Sequence, residues 1–161
     1  MKQSQVYLGE RLIGWLDALA ARRRRDPQAA AHLRTGVVGE EAAFFYLRGQ
    51  GFCLVAQRWN DTPVKGDIDL IAWDGDVLCF IEVKTRTSRE VATASSAVDR
   101  HKRRMVRRLA RHYLRHLRRS PEEAGPQTRF DIVTVYDLPG QEREITLIPG
   151  AFGWREVSFG G

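Results

Sequence analysis

Residues 65–86 read K-G-D-I-D-L-I-A-W-D-G-D-V-L-C-F-I-E-V-K-T-R, two apolar runs separated by an Asp-Gly pair. Alternating runs around Asp-Gly predict a β-hairpin. Charges interrupt both runs where a sheet normally buries carbon: Asp67 and Asp69 in the first strand, Glu82 and Lys84 in the second. Residues two apart in a strand share a face. A two-residue turn at Asp74-Gly75 pairs Trp73 with Asp76, sets Asp67 opposite Glu82, and leaves Asp69 opposite Phe80. Asp69 is then one diagonal step from Glu82, about 7–8 Å away. A slip by one residue would send the acids to opposite faces. The simplest register gathers three carboxylates and one amine on one face.

Carboxylates facing one another across a strand pair repel, and partly buried charges need partners. A divalent cation resolves both conflicts. Mg²⁺, or Mn²⁺ in its place, takes oxygen ligands and usually binds one or two carboxylates, leaving positions for water or phosphate. One or two such ions are expected here. A lysine beside them can orient a water or stabilise charge on phosphate oxygens.

The whole chain has 161 residues and a net charge of +6, which suits one soluble domain with a sizeable core. It contains no apolar run of membrane-spanning length, and its start shows no signal-peptide pattern. Cys53 and Cys79 fall in apolar runs without metal-ligand spacing, so both are expected in the core of a cytoplasmic protein. The charge is uneven. Residues 99–119 hold ten Lys or Arg against Asp99 alone, so the remainder of the chain is net acidic. That asymmetry predicts a polyanionic partner.

Leu8, Leu12, Ile13, Leu16 and Leu19 have helical spacing and precede four arginines, so residues 1–34 are expected to form a helical extension with a basic end, stopped at Asp26-Pro27. Residues 35–161 make the main domain. Its first helix is expected over 36–49, with Val37, Val38, Phe44, Phe45 and Leu47 toward the core. Glu40 and Glu41 both fall inside that apolar arc, and periodicity does not choose between them. Strands are expected at 52–59, 130–136 and 144–148, with a loop over 85–93, and Phe152 and Trp154 are expected to close the core.

A long helix is expected over 95–119. Val98, Met105, Val106, Leu109, Tyr113 and Leu117 lie on one side, and Lys102 falls among them, facing inward. Arg100, Arg103, Arg104, Arg107, Arg108, Arg111, Arg115, Arg118 and Arg119 fall on the opposite arc as a nucleic-acid-binding surface. Asp131 opens a strand, either supporting the site or pairing with a nearby arginine.

From about Gly36 onward the chain resembles the bacterial YraN family, and through it the PD-(D/E)XK nucleases that include archaeal Holliday-junction resolvases. The matching pieces are G-V-V-G-E-E-A-A, G-D-I-D-L-I-A, F-I-E-V-K-T-R, Lys102, R-F-D-I-V and P-G-A-F. The resemblance implies a restriction-endonuclease-like α/β core, a mixed central sheet flanked by helices. By position it makes Asp69 and Glu82 metal ligands, Lys84 the catalytic lysine, and Glu40 rather than Glu41 the helix acid that helps bind metal. The family usually has Glu where this chain has Asp67. Dimeric resolvase-like enzymes suggest a homodimer.

These readings predict a Mg²⁺-dependent nuclease acting on DNA, including branched or structured DNA. The alternatives are a nucleic-acid-binding module with a vestigial site and a protein that binds an acidic partner.

Overall fold

The computed structural model describes residues 27–61, 64–88, 95–117 and 124–155. The expected helix at 8–25, and Arg118 and Arg119, lie outside the described residues. In chain order the elements are α1 (Pro27–Gly49), β1 (Cys53–Asp61), β2 (Val64–Asp74), β3 (Val77–Arg86), α2 (Ser95–Leu117), β4 (Gln127–Tyr136) and β5 (Glu144–Phe152). The strands form one sheet in the order β1-β2-β3-β4-β5. Only β3 and β4 run parallel, and α2 supplies the crossover that a parallel pair requires. The mixed α/β architecture matches the expectation, and β3 is an unbroken strand as far as Arg86.

The hairpin forms with a different turn. Asp74 pairs with Val77 and Leu70 with Ile81, so Gly75 and Asp76 make the turn instead of Asp74 and Gly75. This moves the register by two residues. Because the side-chain period is two, every face is preserved. Carrying the ladder one step past Leu70 and Ile81 puts Asp69, not Asp67, directly opposite Glu82.

The helix expected from residue 36 begins instead at Pro27. Pro27 opens this helix, at the position where its missing N–H and fixed φ cost nothing. The helix therefore runs straight through the boundary expected between residues 34 and 35.

α1 meets one face of the sheet along Gly39, Ala43 and Leu47, spaced four apart. Ala43 and Leu47 pack with Leu70, Ala72, Cys79, Ile81, Val133 and Val135. A side chain at Gly39 would collide with Thr85 Oγ1. The small residues let the helix settle close to β3, Phe44 packs at the margin of this core as expected, and Phe45 turns away. Phe45 is 60% exposed and Val38 38% exposed, contrary to the wheel, which the aromatic residues had rotated. Cys53 is also exposed, while Cys79 is buried as expected.

α2 covers the other face. Val106, Leu109 and Ala110 pack on Ile68, Ile71, Leu78, Phe80 and Phe130. The end of β5 and the residues after it close this layer. Phe152 stacks on Phe130 at 4.9 Å, and Trp154 meets Phe130 edge-on at 4.7 Å. A side chain at Gly66, whose φ is +107°, would strike Met105 Sδ. That clearance lets α2 lie against β2 just before Asp67.

The same closing segment overturns part of the arginine-face expectation. Arg107 is 6% exposed; its Nε donates to the Gly153 carbonyl at 2.8 Å. The guanidinium groups of Arg103 and Arg107 lie over the Phe152 ring, and that of Arg111 over Trp154. Arg107 is therefore a clamp between α2 and the residues following β5. The wheel could not show this, because the covering segment is some 45 residues away in sequence. Arg100, Arg104, Arg108, Arg111 and Arg115 are exposed and Arg103 is half-buried.

Candidate active site

The hairpin's charges meet on the α2 face. Alternation along β2 and β3 puts Asp69, Glu82 and Lys84 there, and Lys102 enters from one helical turn before Val106. Asp69 is 7% exposed. Its Oδ2 accepts the Val83 N–H at 2.8 Å, and its Oδ1 accepts from Lys102 Nζ at 3.3 Å. Lys102 Nζ also lies 3.2 Å from Glu82 Oε2 and 3.8 Å from Asp67 Oδ1. Three carboxylates thus surround one ammonium group. Glu82 Oε2 is buried, and among the described residues no well-aligned donor reaches it; its 3.2 Å contact with Lys102 is an ion pair of poor hydrogen-bond geometry. Lys84 stands beside Glu82 and Lys102 along a narrow crevice of about 10 Å³. On the other side, Asp67 borders an open cleft of about 390 Å³ with Asn60, Asp61, Val64 and Gly66.

Burial, and after it the crowding of negative charge, shifts the pKa values of the acids. Burial, then the neighbouring Asp69 carboxylate, pushes Glu82 up to about 8 in spite of Lys102 and Lys84. Burial likewise raises Asp69, against Lys102 and the Val83 N–H. For Lys102 the balance reverses. Burial pulls its pKa down, but Asp69, Glu82 and Asp67 outweigh burial and hold it above the usual lysine value.

Of the two acids that periodicity left open, Glu41 is exposed and Glu40 points inward. Both Glu40 oxygens are held by Arg58, from Nε and Nη2, each at 2.7 Å. Burial raises the Glu40 pKa more than Arg58 lowers it, and the Asp69 and Asp67 charges add to the rise. Glu40 therefore spends its hydrogen bonds on Arg58 and feels the Asp69 and Asp67 carboxylates through their charge.

Arg58 is the site residue that sequence reasoning missed. It lies across from Asp69 in the β1–β2 ladder, between the Gln57–Leu70 and Trp59–Ile68 pairs. Its φ of 45° puts it in the left-handed region, which costs a non-glycine residue about 1–3 kcal/mol and recurs at functional sites. The available signal was an arginine in an apolar strand together with an unexplained acid in an apolar helix arc. Nothing in the spacing joined them.

Asp131 lies apart from this cluster. It is fully buried, takes Arg129 Nε at 2.8 Å and the Gly150 N–H at 2.9 Å, and shares Arg129 with Asp74. Of its two expected roles it fills the second, pairing with an arginine.

A divalent metal is what the carboxylates imply, and the donor chemistry fits one. The ligands are hard oxygens, one of them buried with no well-aligned donor among the described residues, and they already surround a cation. As placed, they are spread around an ammonium group, and no three His, Cys, Asp or Glu side chains among the described residues form a closed metal group.

Among the described residues, a five-stranded mixed sheet with one helix on each face, and an Asp, Glu and Lys set on a central hairpin, defines an α/β protein consistent with a restriction-endonuclease-like core. The match to Uncharacterised protein family UPF0102 over residues 39–135 spans Glu40, Arg58 and every member of the carboxylate cluster. The chain belongs to this family. It is 50% identical over 127 residues to a UPF0102 protein of Koribacter versatilis, covering 79% of this chain and 85% of the relative. A Solibacter usitatus relative is 41% identical over 124 residues, covering 77% and 89%. One from Symbiobacterium thermophilum is 42% identical over 119 residues, covering 74% and 96%. Among the described residues, no helix is long and apolar enough to cross a membrane.

Proposed function

We propose that this protein is a metal-dependent nuclease that hydrolyses phosphodiester bonds in DNA. The observation that carries this reading is the convergence of Asp67, Asp69 and Glu82 on one cation position, with Lys84 beside Glu82. Asp69 and Glu82 would hold the ion, and Asp67, next to the open cleft, would supply a further oxygen. Once bound, Mg²⁺ or Mn²⁺ lowers the pKa of a water and offsets charge on the phosphoryl oxygens. Lys84 positions the attacking water and stabilises negative charge as it builds on the phosphate. Water adds at phosphorus and releases a proton to solvent, the P–O bond to the leaving sugar oxygen breaks, and that oxygen takes up a proton from solvent. Arg58 keeps Glu40 on the edge of the site and, through its charge, moderates the repulsion among the acids. Arg100, Arg104, Arg108, Arg111 and Arg115 would meet the DNA backbone. Such contacts bind phosphates without reading bases.

A cleavage panel of linear, single-stranded, flapped and four-way DNA with Mg²⁺ or Mn²⁺ tests the reading. Metal-dependent cleavage lost in both Asp69→Ala and Lys84→Ala is the expected result. Lys102 among the acids favours a second reading, a DNA-binding module whose site is vestigial. That module would bind the same panel without cleaving any member.

A further inference from the structure

The oxygens assigned to the metal are the ones that surround Lys102 Nζ. Mg²⁺ needs oxygens at about 2.0–2.1 Å in near-octahedral geometry. The ammonium nitrogen keeps Glu82 Oε2, Asp69 Oδ1 and Asp67 Oδ1 at 3.2, 3.3 and 3.8 Å. Ion and ammonium cannot occupy that point together. We propose that Lys102 is the resident counter-ion of the metal seat, and that a divalent ion binds by exchanging with its ammonium group. The inference rests on the nuclease reading for the identity of the ligands.

Three observations support exchange over a permanent salt bridge. First, the contacts of Lys102 are long. Charge-assisted N–H···O bonds run about 2.7–2.9 Å, the lengths that Arg58–Glu40 and Arg129–Asp131 achieve in this same molecule, at 2.7 and 2.8 Å. Second, Glu82 Oε2 is buried with no well-aligned donor among the described residues, so one ammonium offsets only part of the charge of three carboxylates and leaves their coordination unfilled. Third, the Lys102 side chain is 29% exposed on a flexible four-carbon stem, so its head can swing to solvent without moving the helix. The lysine keeps three carboxylates together when the ion is absent and yields to an ion that binds them at shorter range.

The test is calorimetry with Mn²⁺ on the full chain, comparing wild type, Lys102→Met and Lys84→Met. Lys84 controls for the loss of one positive charge, since its charge also acts on Glu82. Lys102→Met should bind Mn²⁺ at least about tenfold tighter, with a clearly smaller gain in Lys84→Met. Equal gains in the two variants, or none in Lys102→Met while wild type binds through Asp69, overturn exchange and leave the nuclease reading standing. Tighter binding in Lys102→Met without cleavage by wild type supports exchange and sinks the nuclease reading. Absence of binding in every form overturns both.

Lys102→Met could fail to fold, so a second measurement uses wild type alone. The ¹⁵N-detected ammonium resonance of Lys102 should move to a solvent-like position as Mg²⁺ saturates the protein. An unchanged resonance at saturation overturns the proposal.

Discussion

Two clusters of acids sit on the central strands, each gathered around a basic side chain, and they are completed differently. Near the hairpin turn, Arg129 serves Asp131 and Asp74. The Gly150 N–H assists, and both Asp131 oxygens receive donors at 2.8–3.1 Å. A guanidinium presents five donors in a planar fork matched to carboxylates. Toward the open end, Lys102 faces three acids at 3.2–3.8 Å, and one buried oxygen has no well-aligned donor among the described residues. The first cluster is satisfied and holds strands together. The second has an unmet demand for positive charge and directed ligands, which is the physical condition for binding something else.

The sharpest way to break this contrast is to remove chemistry from one cluster and structure from the other. Lys84→Ala should lower cleavage by about 10²–10⁴-fold while leaving Mn²⁺ affinity near wild type, as read by single-turnover assays and calorimetry. Asp131→Ala should instead cost about 1–3 kcal/mol of stability, measured by urea unfolding, because the Gly150 N–H loses its acceptor and Arg129 keeps only Asp74. Cleavage per folded molecule should be unchanged. A Lys84 variant as active as wild type, or an Asp131 variant as stable, removes the distinction.

The unmet demand should also appear in pH dependence. Burial and Asp69 raise Glu82 from 4.5 to about 8 in the folded chain. Between those values the folded state keeps a proton that the unfolded state has released, so stability falls as pH rises through the window. Asp69, raised above its usual value as well, contributes with the same sign. Lys102, raised above 10.5, contributes stability that is lost only above that range. Urea midpoints with chelator at pH 5, 6, 7 and 8 should decline, and Glu82→Gln or added Mg²⁺ should flatten the decline. A midpoint that rises across this range would show that the acids are well paired without metal.

The smallest effect concerns the surface. Changing the exposed Arg100, Arg108 and Arg115 to Ala should make the slope of log K against log salt on duplex DNA shallower by up to about 2.7, at about 0.9 per phosphate contact. Arg107→Ala should leave the slope nearly unchanged and lower stability, since its guanidinium is spent on Gly153. An unchanged slope in the triple variant would move the acidic-partner reading ahead of DNA.

The sequence by itself determined the hairpin, the face its charges share, the inward position of Lys102 and the mixed α/β class. These follow from periods of two and 3.6 and from turn chemistry, which act over a few residues. Even the misplaced turn left the face intact, because the error was a whole period. Tertiary structure alone decided the rest. Which side of α1 meets the sheet was set by the close approach of Gly39 and Ala43, not by the aromatic residues that dominate the wheel. Arg107 became buried because a segment after β5 folds over α2. Arg58 joined Glu40 across 18 residues, with its backbone in a conformation that no local pattern announces. Periodicity specifies faces; which distant charge fills a given face is settled only when the sheet closes and burial makes an unpaired ion too costly to leave.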